Sequence, residues 1–243
     1  MPQRHDRDVG SGLTRVLVAV LLLSGARLAG ADELKPFEAS YDWVWHGLTV
    51  AASSLKLEAS GDTWTYSSKS EPRGIGRAFS ERPRQVSVVK LNGAAVEPQS
   101  YKADDGTTST RRAIDLKYDW QAKRVTGVYE ETKVDLPLTP EVQDDASIQL
   151  ALMAALLAGH MPERFELIDK NSVREYHYSR EGEATLKTPM GDIATVVYKA
   201  QKANSPRVTR FWCAPQRGYV PLKVEQTKGD EVQWTMHIQS LTR

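Results

Sequence analysis

The sequence runs to 243 residues, with 32 lysines and arginines against 31 aspartates and glutamates. So even a balance leaves no basic footprint for nucleic acid and no overall attraction to an anionic membrane. The only cysteine, Cys213, has no partner for an internal disulfide, so a hydrophobic core must hold the fold.

Residues 1–31 read as a signal peptide. Arg4, Arg7 and Arg15 form a basic start, residues 17–25 an apolar stretch, and Ala29-Gly30-Ala31 a small-residue cleavage site. An uncleaved anchor needs ~18 apolar residues in a row, and Arg15 and Arg27 interrupt this run. Cleavage after Ala31 leaves one domain, 32–243, with 28 cationic and 29 anionic side chains and no transmembrane segment. No cysteine stands at its start to carry a lipid anchor, and the expected location is the periplasm.

The pattern then turns to period two. Phe37, Ala39, Tyr41, Trp43 and Trp45 share one face, and Glu38, Ser40, Asp42, Val44 and His46 the other. Gly47 ends this strand, a second occupies 48–57, and Ser60-Gly61-Asp62 turns the chain into Trp64 and Tyr66. Turn signals recur at Asn92-Gly93, Asp105-Gly106, Glu181-Gly182, Met190-Gly191, Asn204-Ser205-Pro206 and Gly229-Asp230. They divide the chain into roughly ten to twelve strands. Short turns make neighbours antiparallel, so the strands form a meander. Laid flat, that sheet would expose a wide apolar face and two edges. The expected fold is therefore mainly β, the meander curled into an incompletely closed or flattened β-barrel; a two-sheet sandwich is the competing architecture.

One segment breaks this pattern. After strand residues 123–136, the run 146–159 carries no charge, and Ser147 and Gln149 are its only polar side chains. It predicts a helix over about 145–158, with Asp144 or Asp145 as N-cap, Gly159 at the left-handed C-terminal position and Pro162 barring continuation. Ile148, Leu150, Leu152, Met153, Leu156 and Leu157 surround its axis, so the helix must lie in or over the curled sheet. At ~1.5 Å per residue it is too short to cross a bilayer.

Chemistry is less evident. His46, His160, His177 and His237 are scattered without metal-ligand spacing, and no metal or cofactor is expected. No nucleophile elbow, phosphate loop or dinucleotide fingerprint occurs, and Cys213 reads as a small buried hydrophobe. Gly74-Ile75-Gly76 is a lone GxG without the helix that phosphate binding requires. The loop 71–84 sets Arg73, Arg77, Arg82 and Arg84 beside Ile75 and Phe79, and could serve an anionic headgroup, a glycan or a partner protein, or simply be a solvated loop.

The stretches FEASYDWVWHGLTV (37–50), NGAAVEPQSY (92–101), LTPEVQDDAS (138–147), LKTPMGDIATVVYK (186–199) and RFWCAPQRGYVPLKVEQ (210–226) resemble, in that order, an exported bacterial family known only as a domain of unknown function. The resemblance spans nearly all of the mature chain. It implies an envelope protein of antiparallel β type, with no catalytic residues to carry over. More loosely, a curled sheet with an inserted helix resembles the periplasmic lipoprotein carriers, whose open barrels hold acyl chains beneath a helical lid.

Two expectations follow. In the first the protein is not an enzyme: an open barrel holds an apolar ligand such as an acyl chain, a lipid or a lipoprotein anchor, lined by Trp43, Trp45, Leu152, Met153, Leu156 and Leu157. In the second it is an interaction module for envelope assembly, meeting a protein or glycan through Arg73, Arg77, Arg82 and Arg84, with a filled core.

Overall fold

The computed structural model describes residues 33–78 and 81–243. The expected signal peptide, residues 1–31, and Phe79 lie outside the described residues. The first limb is a meander of β1 (Phe37–Trp45), β2 (Leu48–Ser60), β3 (Thr63–Pro72), β4 (Arg84–Asn92), β5 (Ala95–Asp104), β6 (Ile114–Asp119), β7 (Arg124–Tyr129) and β8 (Thr132–Pro137). There follow β9 (Val142–Gln143) and the helix α1 (Ser147–Leu157). The second limb comprises β10 (Arg164–Ile168), β11 (Val173–Thr188), β12 (Gly191–Lys202), β13 (Arg207–Ala214), β14 (Val220–Lys228) and β15 (Glu231–Thr242).

β15 returns to pair with β1, which joins the limbs into one sheet of 15 strands ordered β8 back to β1, then β15 back to β9. All pairs are antiparallel except β9 with β10. β8 and β9 are the two edges, bridged by the link 138–141 rather than by a hydrogen-bonded ladder. The fold is thus an incompletely closed antiparallel barrel.

Three sequence readings need correction. Residues 123–136 are not one strand but the β7–β8 hairpin, turning on Glu130-Glu131. Both glutamates are in the left-handed region (φ 48° and 67°), and without Gly or Asn the turn leaves no sequence signal. Conversely, Glu181-Gly182 is no turn: β11 runs through it, and the register shifts there as a bulge. Asp105-Gly106 opens a longer connection that reaches β6 only at Ile114.

The helix forms where the uncharged run predicts. The Asp144 carboxylate accepts from the N–H groups of Ala146 (2.9 Å) and Ser147 (2.7 Å), while Ser147 Oγ accepts from the Asp144 N–H (2.9 Å). This reciprocal pair satisfies donors that the first turn would otherwise leave bare. At the far end Gly159 has φ 76°, and the N–H groups of Gly159 and His160 return to Leu156 and Ala155. Leu150 and Met153 are wholly buried in the main core with Tyr41, Leu57, Leu116 and Val125. Leu152 and Leu156 face the other way, onto Tyr178, Tyr198, Ala200 and Cys213. The helix is therefore a plug packed by both limbs.

Candidate functional site

The plug does not fill the barrel. Beside the first turn of α1 lies a cavity of about 370 Å³, within the range of ~300–1,000 Å³ usual for small-molecule sites. Leu55, Ile148, Leu167, Phe211, Val224 and Met236 give it apolar walls. Ser53, Ser70, Gln85, Thr209 and Gln226 add polar groups to its lining. Trp43 stacks obliquely on Trp234 at 4.9 Å and donates from Nε1 to Ser53 Oγ, which in turn meets Ser70 Oγ. That chain of bonds holds one wall of the mouth in place.

Two helix residues bring polarity to the interior. Gln149 Nε2 is buried and has no hydrogen-bond partner. A buried donor left unpaired costs ~1–3 kcal/mol. Asp145 is accessible, and the space it opens onto is this cavity. Desolvation by the surrounding protein raises its pKa to about 7, the Asp144 and Asp169 carboxylates add to the rise, and a hydrogen bond from Tyr129 opposes it. Asp144 itself, 1% exposed and also holding the Ser87 hydroxyl at 2.8 Å, is raised to about 6 by burial against its own hydrogen bonds.

These shifts set a pH dependence. In the unfolded chain both carboxyls ionise near the ordinary aspartate value of 3.8, whereas in the fold they keep their protons up to about pH 6 and 7. Unfolding in that window releases protons, so stability is greatest on the acid side and falls as pH rises toward 7. Asp144 alone accounts for a change on the order of 3 kcal/mol. The expected result is a thermal midpoint higher at pH 5 than at pH 7.5. Asp144→Asn, which keeps the cap acceptor, should flatten this slope; an unaltered slope would show that the titrating group lies elsewhere.

The residues singled out from sequence separate. Trp43 lines the cavity. Trp45 does not: it is exposed and borders a groove on the outside of the rim. Leu152, Met153 and Leu156 are core, not cavity wall, because the sheet closes on them from both limbs. Leu157 is half-buried beside Trp64, at the opposite end of β3 from Ser70. Of the loop arginines, Arg82 pairs with Glu71 and Arg84 with Asp104, while Arg73 and Arg77 are exposed with no ion pair among the described residues. Cys213 is fully buried and its thiol is pushed well up by desolvation.

Sequence reasoning missed Asp145, Gln149, Ser53, Phe211 and Trp234. Alternation marked Trp234 and Phe211 as strand residues, but only the register across β13, β14 and β15 turns them into one wall. Among the described residues no group of three or more His, Cys, Asp or Glu is placed to hold a metal, and no helix is long and apolar enough to cross a membrane.

Residues 37–231, most of the strand order just described, match the family model "Protein of unknown function (DUF3108)". The chain belongs to the DUF3108 family. One solved structure places this DUF3108 chain among barrel-like folds. The chain is similar to a Brucella abortus β-barrel-like protein of the domain of unknown function DUF1849, at 12% identity and TM-score 0.56, over 86% of this chain and 98% of that one. A Bacteroides fragilis protein with a YmcC-like fold aligns at 9% identity and TM-score 0.37, over 87% and 97% of the two chains. No curated protein matches the sequence.

Proposed function

We propose that this DUF3108 protein is a non-enzymatic carrier of the cell envelope that holds one acyl chain, lipid or lipoprotein anchor in the cavity beside α1. The observation that carries this reading is the make-up of the cavity: largely apolar walls with a minority of polar side chains, Ser53, Ser70, Gln85, Asp145, Thr209 and Gln226 among them. Apolar burial supplies the affinity, and a few placed polar groups fix the orientation of the ligand. An acyl chain lies against Leu55, Phe211, Val224 and Met236, with its headgroup among the polar side chains of the lining. Asp145 tunes this: protonated, it tolerates an apolar or acidic headgroup, and ionised it repels an acidic one.

The test is titration of the purified protein with a fluorescent fatty acid, together with mass spectrometry of its organic extract. Saturable binding at one site is expected, weakening as pH rises through about 7 in step with Asp145. Absence of both bound lipid and fatty-acid binding would end this reading.

A further inference from the structure

Three of the large apolar side chains that the fold leaves exposed are gathered at one rim. Trp45 and Leu48 stand at the tip of the β1–β2 hairpin, 49% and 53% exposed, and Ile75, 53% exposed, rides on the short 3-10 turn Gly74–Ala78. Between hairpin and turn runs a groove of about 260 Å³ walled by Trp45, Val50, Ala51, Pro72 and Pro83. Among the described residues the other exposed large apolar side chains, Val86, Val128 and Val232, are spread singly over β4, β7 and β15. Single exposed residues are ordinary, whereas a cluster marks a contact surface.

The turn is held firmly, and glycine is the reason. A side-chain carbon at Gly76 would come within 1.9 Å of the Val50 carbonyl oxygen, so only glycine lets the turn sit against β2. The Arg73 N–H donates to that same oxygen at 2.7 Å. The lone GxG is thus a packing device that presents Ile75 outward.

Charge decides what the patch fits. Both acids of this loop are engaged, Glu71 with Arg82 and Glu81 with Arg112, which leaves the exposed Arg73 and Arg77 as local positive charge on either side of Ile75. An interfacial tryptophan with aliphatic neighbours and flanking arginines suits the headgroup region of a bilayer: the apolar tips enter the acyl boundary and the guanidiniums meet phosphates. We propose that this rim, Trp45, Leu48 and Ile75 with Arg73 and Arg77, docks the protein onto a membrane surface bearing anionic lipid. Ser70 borders both the groove and the interior cavity, so docking brings the mouth of that cavity to the lipid. The docking stands without an internal ligand; its use in loading one rests on the carrier reading.

The experiment is co-sedimentation of the purified protein with vesicles of phosphatidylethanolamine and phosphatidylglycerol, set against vesicles of phosphatidylcholine alone. Binding to the anionic vesicles is expected, and it should weaken in high salt as the screening length shortens from ~10 Å at 0.1 M to ~3 Å at 1 M. The triple variant Trp45→Ser, Leu48→Ser, Ile75→Ser and the double variant Arg73→Glu, Arg77→Glu should each lower vesicle binding by about tenfold or more. All five side chains are exposed, so both variants should keep the parent's thermal midpoint and its fatty-acid titration. Protein that stays in the supernatant, or variants that bind as well as the parent, would overturn the proposal. So would a concentration-dependent dimer abolished by the variants in the absence of lipid, which would make the patch a contact between copies. A failed fatty-acid titration beside intact vesicle binding would remove the carrier reading and leave the docking surface standing.

Discussion

Truncating Leu150 to alanine is expected to destabilise the fold by ~2–5 kcal/mol, a large share of the ~5–15 kcal/mol that a domain usually has. Leu150 is wholly buried on the face of α1 that meets the inner side of the barrel. Removing its branched end leaves a void, and the surrounding strands, tied to one another by their ladders, relax only in part. Leu157→Ala should cost much less, since Leu157 is half-buried at the open end of the helix. Urea unfolding checks this: the midpoint of the Leu150 variant should fall sharply at nearly constant slope. Equal losses for the two leucines would mean that the helix is not a plug gripped from both limbs.

Filling the cavity is expected to separate ligand binding from stability. Ser68 projects into it from β3, and its partners across the ladder, Leu55 on β2 and Gln85 on β4, line it too. Ser68→Trp should occupy the space that the carrier proposal gives to an acyl chain and weaken fatty-acid binding by at least ~tenfold, equivalent to ~1.4 kcal/mol. Because the indole enters empty volume rather than packed core, the overpacking cost should stay near or below the usual ~1–3 kcal/mol. Full binding by a correctly folded Ser68→Trp variant would place the ligand elsewhere.

Much of the architecture was legible in the residues. Period-two alternation from Phe37 to Trp45 and turn pairs such as Asn92-Gly93 report backbone geometry locally, and that geometry persisted in the fold. The chargeless run reported α1, since a helix with no polar face has to be enclosed. The site was legible only in part. Trp43 was found because large aromatics on an apolar face point inward, but the same rule misplaced Trp45. A register shift between Trp43 and Val44 and the end of the strand put Trp45 outside. Leu152, Met153, Leu156 and Leu157 stand out in the sequence only as apolar, a property that packed core and cavity wall share. What sets the cavity apart is its polar minority. Asp145 and Gln149 looked like a cap and a stray amide until the register of distant strands enclosed them.

The seam between β8 and β9 has a consequence for what the barrel can accept. In a sealed cylinder, strand number and stagger fix the girth. Here the circumference is interrupted where a short link spans two unladdered edges. The wall can therefore widen at that line without opening a β-ladder, and what holds the two edges together is the link itself, the Gln143 amide donating to the Val96 carbonyl across the barrel and the Lys170–Glu130 ion pair rather than a row of staves.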